Sequence, residues 1–165
     1  MSITVTTAAE SLRLITVAQF KANIGLTTST DDTEIGLMID RVSAQITTHC
    51  NQTFAKQTYT ETMSGSGGKN LLLTKTPIVS ITTITYDGTL VAASEYSLQE
   101  PNIGLVWNDN YWNYTYGEYL YSIVYVAGYV LPSFSTGTVN LPLDIQAAAL
   151  EMVKVAYYKR DSDPS

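Results

Sequence analysis

The chain has 165 residues, of which 45% are hydrophobic and 15% charged, and its formal net charge is −6. A charged share below the usual level of about a quarter excludes a disordered chain and a coiled coil. The acidic balance excludes general nucleic-acid binding, which needs Lys and Arg to neutralise phosphates.

The 23 threonines and 12 tyrosines are strand-favouring types and predict a large β component. In chain order, Met1 to Glu10 carry no apolar run of the signal-peptide kind. The first helix signal is Ile15-Thr16-Val17-Ala18-Gln19-Phe20. Thr16 and Gln19 form a capping box, Ile15 and Phe20 form the staple around it, and Gly25 is a stop, which predicts a helix over 17–24. A longer helix is predicted over 31–50. There Asp31 and Glu34 form a second capping box, and the acids of the first turn oppose the helix dipole. Ile35, Met38, Ile39, Val42 and Ile46 make its apolar stripe, and Asn51 ends it.

The pattern then changes to β-branched and aromatic runs broken by turn residues. Strands are predicted over Lys56–Met63, Leu71–Thr74, Ile78–Tyr86, Glu95–Gln99, Ile103–Trp107 and Tyr119–Val126. Asp87-Gly88 is a hairpin turn. Between the first two strands, Gly65, Ser66, Gly67 and Gly68 are expected to form a mobile loop. The run Tyr121 to Leu131 is too short to cross a bilayer as a helix, so no membrane contact is expected. Pro142 opens a last helix over 142–160, in the first-turn position where its missing N–H costs nothing. Its apolar face is Ile145, Ala149, Met152, Val153, Ala156 and Tyr157, and Asp161 to Ser165 form a loose tail. The expected fold class is α+β, in one domain over 1–165. Two N-terminal helices and one C-terminal helix form a three-helix bundle, and an antiparallel β-sheet or small sandwich lobe is inserted at about 54–130.

The residues that carry chemistry are few. His49 is the only histidine and Cys50 the only cysteine. Neighbours on a helix point apart, so they are no catalytic pair. His49 reads as a helix-end cation and Cys50 as a small buried hydrophobe. Asp31, Asp32 and Glu34 read as capping acids, because the spacing and glycine of a calcium loop are absent. Gly67-Gly68-Lys69-Asn70 resembles the end of a phosphate loop, but Met63 and Asn70 stand where the motif needs Gly and Ser or Thr. No catalytic residue, metal or cofactor is expected. One stretch is unusual: Trp107, Tyr111, Trp112, Tyr114, Tyr116, Tyr119, Tyr121, Tyr125 and Tyr129 crowd together. The polar segment 108–117 suggests that some rings are exposed. Tyr111, Trp112 and Tyr114 then make a protein–protein contact. The alternatives are a self-packed aromatic loop, or a carbohydrate-binding β module stacking sugars on Trp107, Tyr111, Trp112 and Tyr114.

Several segments, taken in order, resemble the head–tail connector, or head-completion adaptor, proteins of long-tailed bacteriophages. They are Leu14-Ile15-Thr16 with Phe20-Lys21 and Ile24; Asp31-Asp32 with Ile35, Leu37 and Ile39; and Ala44-Gln45-Ile46 through Phe54. Next come Leu71-Leu72-Leu73, Pro77-Ile78-Val79-Ser80-Ile81 and Tyr86-Asp87-Gly88. Tyr125-Val126-Ala127-Gly128-Tyr129, Leu141-Pro142-Leu143-Asp144-Ile145, Ala148, Tyr157 and Arg160 complete the set. The resemblance implies a non-catalytic virion protein, made in the host cytoplasm and placed in the neck between capsid portal and tail. It implies a homo-oligomeric ring, usually of twelve subunits, that binds the portal protein and offers a platform to a neck or tail-completion protein. DNA would pass through its channel without sequence-specific binding, and the acidic composition suits such a wall. Terminal segments in this family commonly meet the portal, so Tyr158, Lys159 and Arg160 are expected to dock there.

Overall fold

The computed structural model describes residues 1–114, 118 and 120–160. The chain divides into two compact units, one of Met1–Ala9 with Lys56–Gly128 and one of Glu10–Ala55 with Tyr129–Ser165. The elements are β1 (Ser2–Thr7), α1 (Val17–Ile24), α2 (Asp32–Cys50), β2 (Gln57–Met63), β3 (Asn70–Leu72) and β4 (Ile78–Tyr86). They continue with β5 (Thr89–Leu90), β6 (Tyr96–Glu100), β7 (Leu105–Asn108), β8 (Tyr121–Ala127) and α3 (Leu143–Lys159). The class is therefore α+β, with antiparallel sheets and three helices among the described residues.

The first unit holds the strands found among the described residues. Its five-stranded sheet runs β1-β2-β8-β4-β5 and its three-stranded sheet β3-β7-β6. β2 and β8 sit in the middle, and every second residue of each is buried, the period of two that a pleated strand imposes. Tyr59, Met63, Ile84, Ile123 and Tyr125 of the larger sheet share one core cluster with Leu71 and Val106 of the smaller. The Asp87-Gly88 turn has positive φ at both residues, 47° and 75°, as a two-residue hairpin of this hand requires. β1 lies outside the sequence expectation. Its side chains are almost all exposed, so no hydrophobic period marks it. It is held by ladder pairing from Ser2–Thr62 to Thr7–Thr58 and by the Thr6–Thr60 hydroxyl pair at 2.6 Å.

The second unit holds the helices. The capping box of α1 is present in both directions, and Gly25 ends the helix in the left-handed region. α2 buries the expected stripe of Ile35, Met38, Ile39, Val42 and Ile46 and ends at left-handed Asn51. The expected capping box at Asp31 is absent: its ψ of 5° turns the carboxylate away from the helix N–H groups. That carboxylate instead accepts from Tyr157 and Arg160. Pro142 is the N-cap of α3 rather than its first residue. α3 buries Ala149 and Val153, whereas Met152, expected in the core, is 40% exposed. Arg13 grips Asp40 with two bonds of 2.6 and 2.8 Å, and buried Phe20 meets the Tyr157 ring edge-on at 5.5 Å.

Candidate functional site

Two surfaces carry the residues expected to make contacts, one in each unit. In the first unit, the loop between β2 and β3 lies against the segment that follows β7. Gly67 N–H donates to the Trp112 carbonyl and Trp112 N–H to the Gly68 carbonyl, both at 2.8 Å. The Trp112 indole N–H donates to the Lys69 carbonyl at 3.0 Å. Its ring is fully buried and meets Tyr121 edge-on at 5.3 Å. Burial pushes the Tyr121 phenol above its ordinary pKa. The expected contact role for Trp112 is therefore corrected. A side chain with no exposed surface touches no partner, and here the indole closes one end of the β core.

Tyr111 and Tyr114 are 57% and 64% exposed. Tyr111 stands at a φ of 65°, which holds its ring outside while the next residue turns in. Lys69 places its ammonium 5.2 Å from the Trp107 ring and 5.4 Å from the Tyr111 ring. Trp107 also donates to Asp109 at 3.0 Å. Exposed Tyr111 thus stands with half-buried Lys69 and Trp107, and exposed Tyr114 follows three residues on. Of the four rings assigned to sugar stacking, Trp112 is in the core. The expectations for residues 115–117 and Tyr119 lie outside the described residues.

The glycines of the loop answer to packing as well as to turning. Gly65 is buried, and a Cβ there would fall inside the contact distance of the Asn113 carbonyl oxygen. Gly65→Ala should therefore lower the melting temperature sharply, while Gly68→Ala, with room around it, should not; equal effects would refute the packing role. The loop expected to be mobile is tied at Gly67 and Gly68. Ser66 also donates to the Asn70 carbonyl at 2.6 Å. Hydrogen exchange should find the Gly67 and Trp112 amides protected, and rapid exchange at both would restore the mobile reading.

In the second unit, the end of α3 bears Tyr158, Lys159 and Arg160. Tyr158 is 59% exposed. Arg160 was expected to pair with a partner's acids; within the described structure it pairs with its own chain. It reaches Asp31 at 2.9 Å and Glu34 at 3.0 Å, and lies over the Tyr157 ring at 4.1 Å. The tail Asp161–Ser165 lies outside the described residues.

The Arg160 guanidinium, then the Tyr157 hydroxyl, hold the Asp31 carboxyl below the usual carboxylate range. A depressed carboxyl stabilises the fold above its unfolded pKa of about 4 and loses that contribution as pH falls through the lower folded value. The Tyr157 ring resonances should therefore move below about pH 4. Arg160→Gln should move that step upward in pH, and a step left where it was would have another cause.

His49 closes α2 as a last-turn basic residue, as expected. Cys50 is exposed, not buried, because the apolar stripe of α2 has already rotated away at Ile46. No group of three or more His, Cys, Asp or Glu among the described residues is placed to hold a metal ion.

A family model described as head completion protein matches residues 13–165. No curated protein matches the chain. Among solved structures, the chain is similar to one in the neck of an empty GTA particle computed with C6 symmetry. That likeness has 18% identity and a TM-score of 0.67, and covers 100% of this chain and 88% of that one. It is similar also to a chain in the neck of the native GTA particle computed with C12 symmetry, with 17% identity and a TM-score of 0.65, covering 100% and 87%. A third, from the virion of the native gene transfer agent particle, has 18% identity and a TM-score of 0.62 over 100% and 88%. At these identities the likeness is one of fold.

Proposed function

Because this chain belongs to the head completion protein family, we propose that it is a structural protein of the neck of a phage-like virion. Copies assemble as a ring, of twelve subunits, beneath the portal at the head vertex. The ring extends the DNA channel and gives a neck or tail-completion protein a platform to dock on. In this reading the three helices act as one bundle, the β unit supplies lateral surface, and the chain catalyses nothing.

The observation that carries the reading is the family match together with a fold similar along the whole chain to chains of particle necks, one in a particle computed with C12 symmetry. The charge supports it: with 15 acidic against 9 basic residues the chain suits a wall that DNA slides past without gripping. The Tyr111–Tyr114 patch fits a subunit or platform contact, since tyrosine gives large contact area for little entropy. In this reading Tyr158 and Lys159 dock on the portal.

The test is assembly. The purified chain mixed with portal rings should give, by electron microscopy, portal rings capped by twelve copies. A chain that stays monomeric and leaves the portal bare at roughly micromolar concentration, where specific assemblies hold, would overturn the reading. Tyr111→Ser with Tyr114→Ser should leave the melting temperature within a few degrees of wild type and abolish capped rings or platform docking. Unchanged assembly would move the contact elsewhere.

A further inference from the structure

The helical unit carries a long apolar groove between α2 and α3 that no described segment fills. One stretch of it, of about 840 Å³, lies between Ile46 and Cys50 on one side and Ile145, Ala148 and Met152 on the other. It continues past Val42 and Val155 and ends between Arg41, Glu34, Lys159 and Arg160. From Glu34 to Cys50 the helix rises about 24 Å, enough for a guest helix of four to five turns.

The wall formed by α3 has a period. Ile145, Ala148, Met152, Val155 and Lys159 recur at spacings of three and four, the a–d seam of a helix that meets another helix. Met152 and Val155 are 40% and 51% exposed, so this seam is separate from the Ala149–Val153 stripe that α3 buries. α2 answers with Glu34, Met38, Arg41, Gln45 and Thr48 in the same rhythm. One end of the groove is charged: Arg41 and Lys159 stand there, and Arg160 is held by both Asp31 and Glu34. Arg41 makes no ion pair among the described residues.

We infer that this groove is the seat of an amphipathic helix from another protein, with an apolar a–d stripe and carboxylates in its first turn that lie over Arg41. Helix-in-groove recognition needs an apolar trough of this length and one polar end to set direction. Acids suit a helix N-terminus, so the same residues that meet Arg41 stabilise the guest. A basic guest would meet Arg41 with like charge. A second copy of this chain, packing the same α2–α3 face against this one, is the other occupant that the test below distinguishes. The inference needs no ring, so its test stands apart from the assembly experiment.

Two synthetic peptides of about 18 residues, matched to the groove length, share one Leu/Ala stripe. One carries two Glu in its first turn and the other two Lys. Titrated into the full chain and followed by fluorescence anisotropy, the Glu peptide should bind at least about tenfold tighter, and salt should narrow the gap. Arg41→Glu should reverse the order. Met152→Asp should abolish binding of both with the circular dichroism melt unchanged, because that side chain is already exposed. Equal affinity for the two peptides, or no binding of either, would overturn the inference. So would self-association of the chain that Met152→Asp removes, which would give the groove to a second copy.

Discussion

Trp112→Ala should cost the β unit roughly 3–5 kcal/mol, the range for removing a buried large aromatic side chain. The loss has three parts. The indole has no exposed surface, so its removal leaves a cavity that the neighbouring strands cannot collapse into without moving Tyr121. Its N–H satisfies the Lys69 carbonyl. Its edge-on contact with Tyr121 carries the added preference of aromatic pairs. A domain of this kind is stable by about 5–15 kcal/mol, so the variant should unfold at a much lower denaturant midpoint. The contrast with Tyr111→Ser and Tyr114→Ser is the decisive measurement. Those variants should keep the midpoint and lose assembly, whereas Trp112→Ala should lose both. A Trp112→Ala chain with an unchanged midpoint would mean that the ring is not core.

Glu61→Ala should also be severe, at about 2–5 kcal/mol, from the buried Tyr125 hydroxyl it strands at about 1–3 kcal/mol and from the cavity it leaves in the core. Glu61 is fully buried in the middle of β2. Its carboxylate accepts from the Tyr125 hydroxyl at 2.6 Å, from Thr74 N–H at 3.1 Å and from the Thr74 hydroxyl. Tyr125 in turn accepts from Lys75 N–H at 3.1 Å. This carboxylate thereby ties the segment after β3 to the two central strands, and burial pushes the Tyr125 phenol well above its ordinary range. Alanine leaves the buried Tyr125 hydroxyl in the core with no acceptor, while the donors of exposed Thr74 can turn to water. Glu61→Gln keeps the shape and one acceptor oxygen but turns an NH₂ toward a donor, and should cost about 1–2 kcal/mol. Chemical denaturation of the three chains should rank them wild type, Gln, Ala. A Glu61→Ala chain as stable as wild type would show the network to be dispensable.

Where local chemistry is dense, the sequence was a sufficient guide. The Thr16–Gln19 box, Gly25 and Asn51 mark helix ends through bonds made within one turn, and α1 lies where they put it. The Asp87-Gly88 pair delivers its hairpin because few other residues accept two consecutive positive φ values. The α2 stripe and the strand Ile78–Tyr86 followed from period alone. The order of such segments also pointed to the family, because order survives when single residues drift.

Other features depend on atoms far apart in the chain, and no local signal carries them. β1 has no apolar period, since an edge strand with both faces near water needs only main-chain pairing to a strand more than fifty residues on. Asp31 had the identity of a cap and became the partner of Tyr157 and Arg160, a choice made by which donors α3 brings close. In the run Tyr111-Trp112-Asn113-Tyr114 the rings divide between core and surface because one backbone angle at Tyr111 is positive and the β2–β3 loop closes over Trp112. Composition placed aromatic rings in that stretch, and only packing decided which of them water can reach. The same division holds for α3. Its sequence determined an apolar helix with more apolar positions than one face needs, and the contact with α2 consumed Ala149 and Val153 while leaving Ile145, Met152 and Val155 along an open groove. Burial is a property of neighbours, and a helix does not carry its neighbours in its own residues.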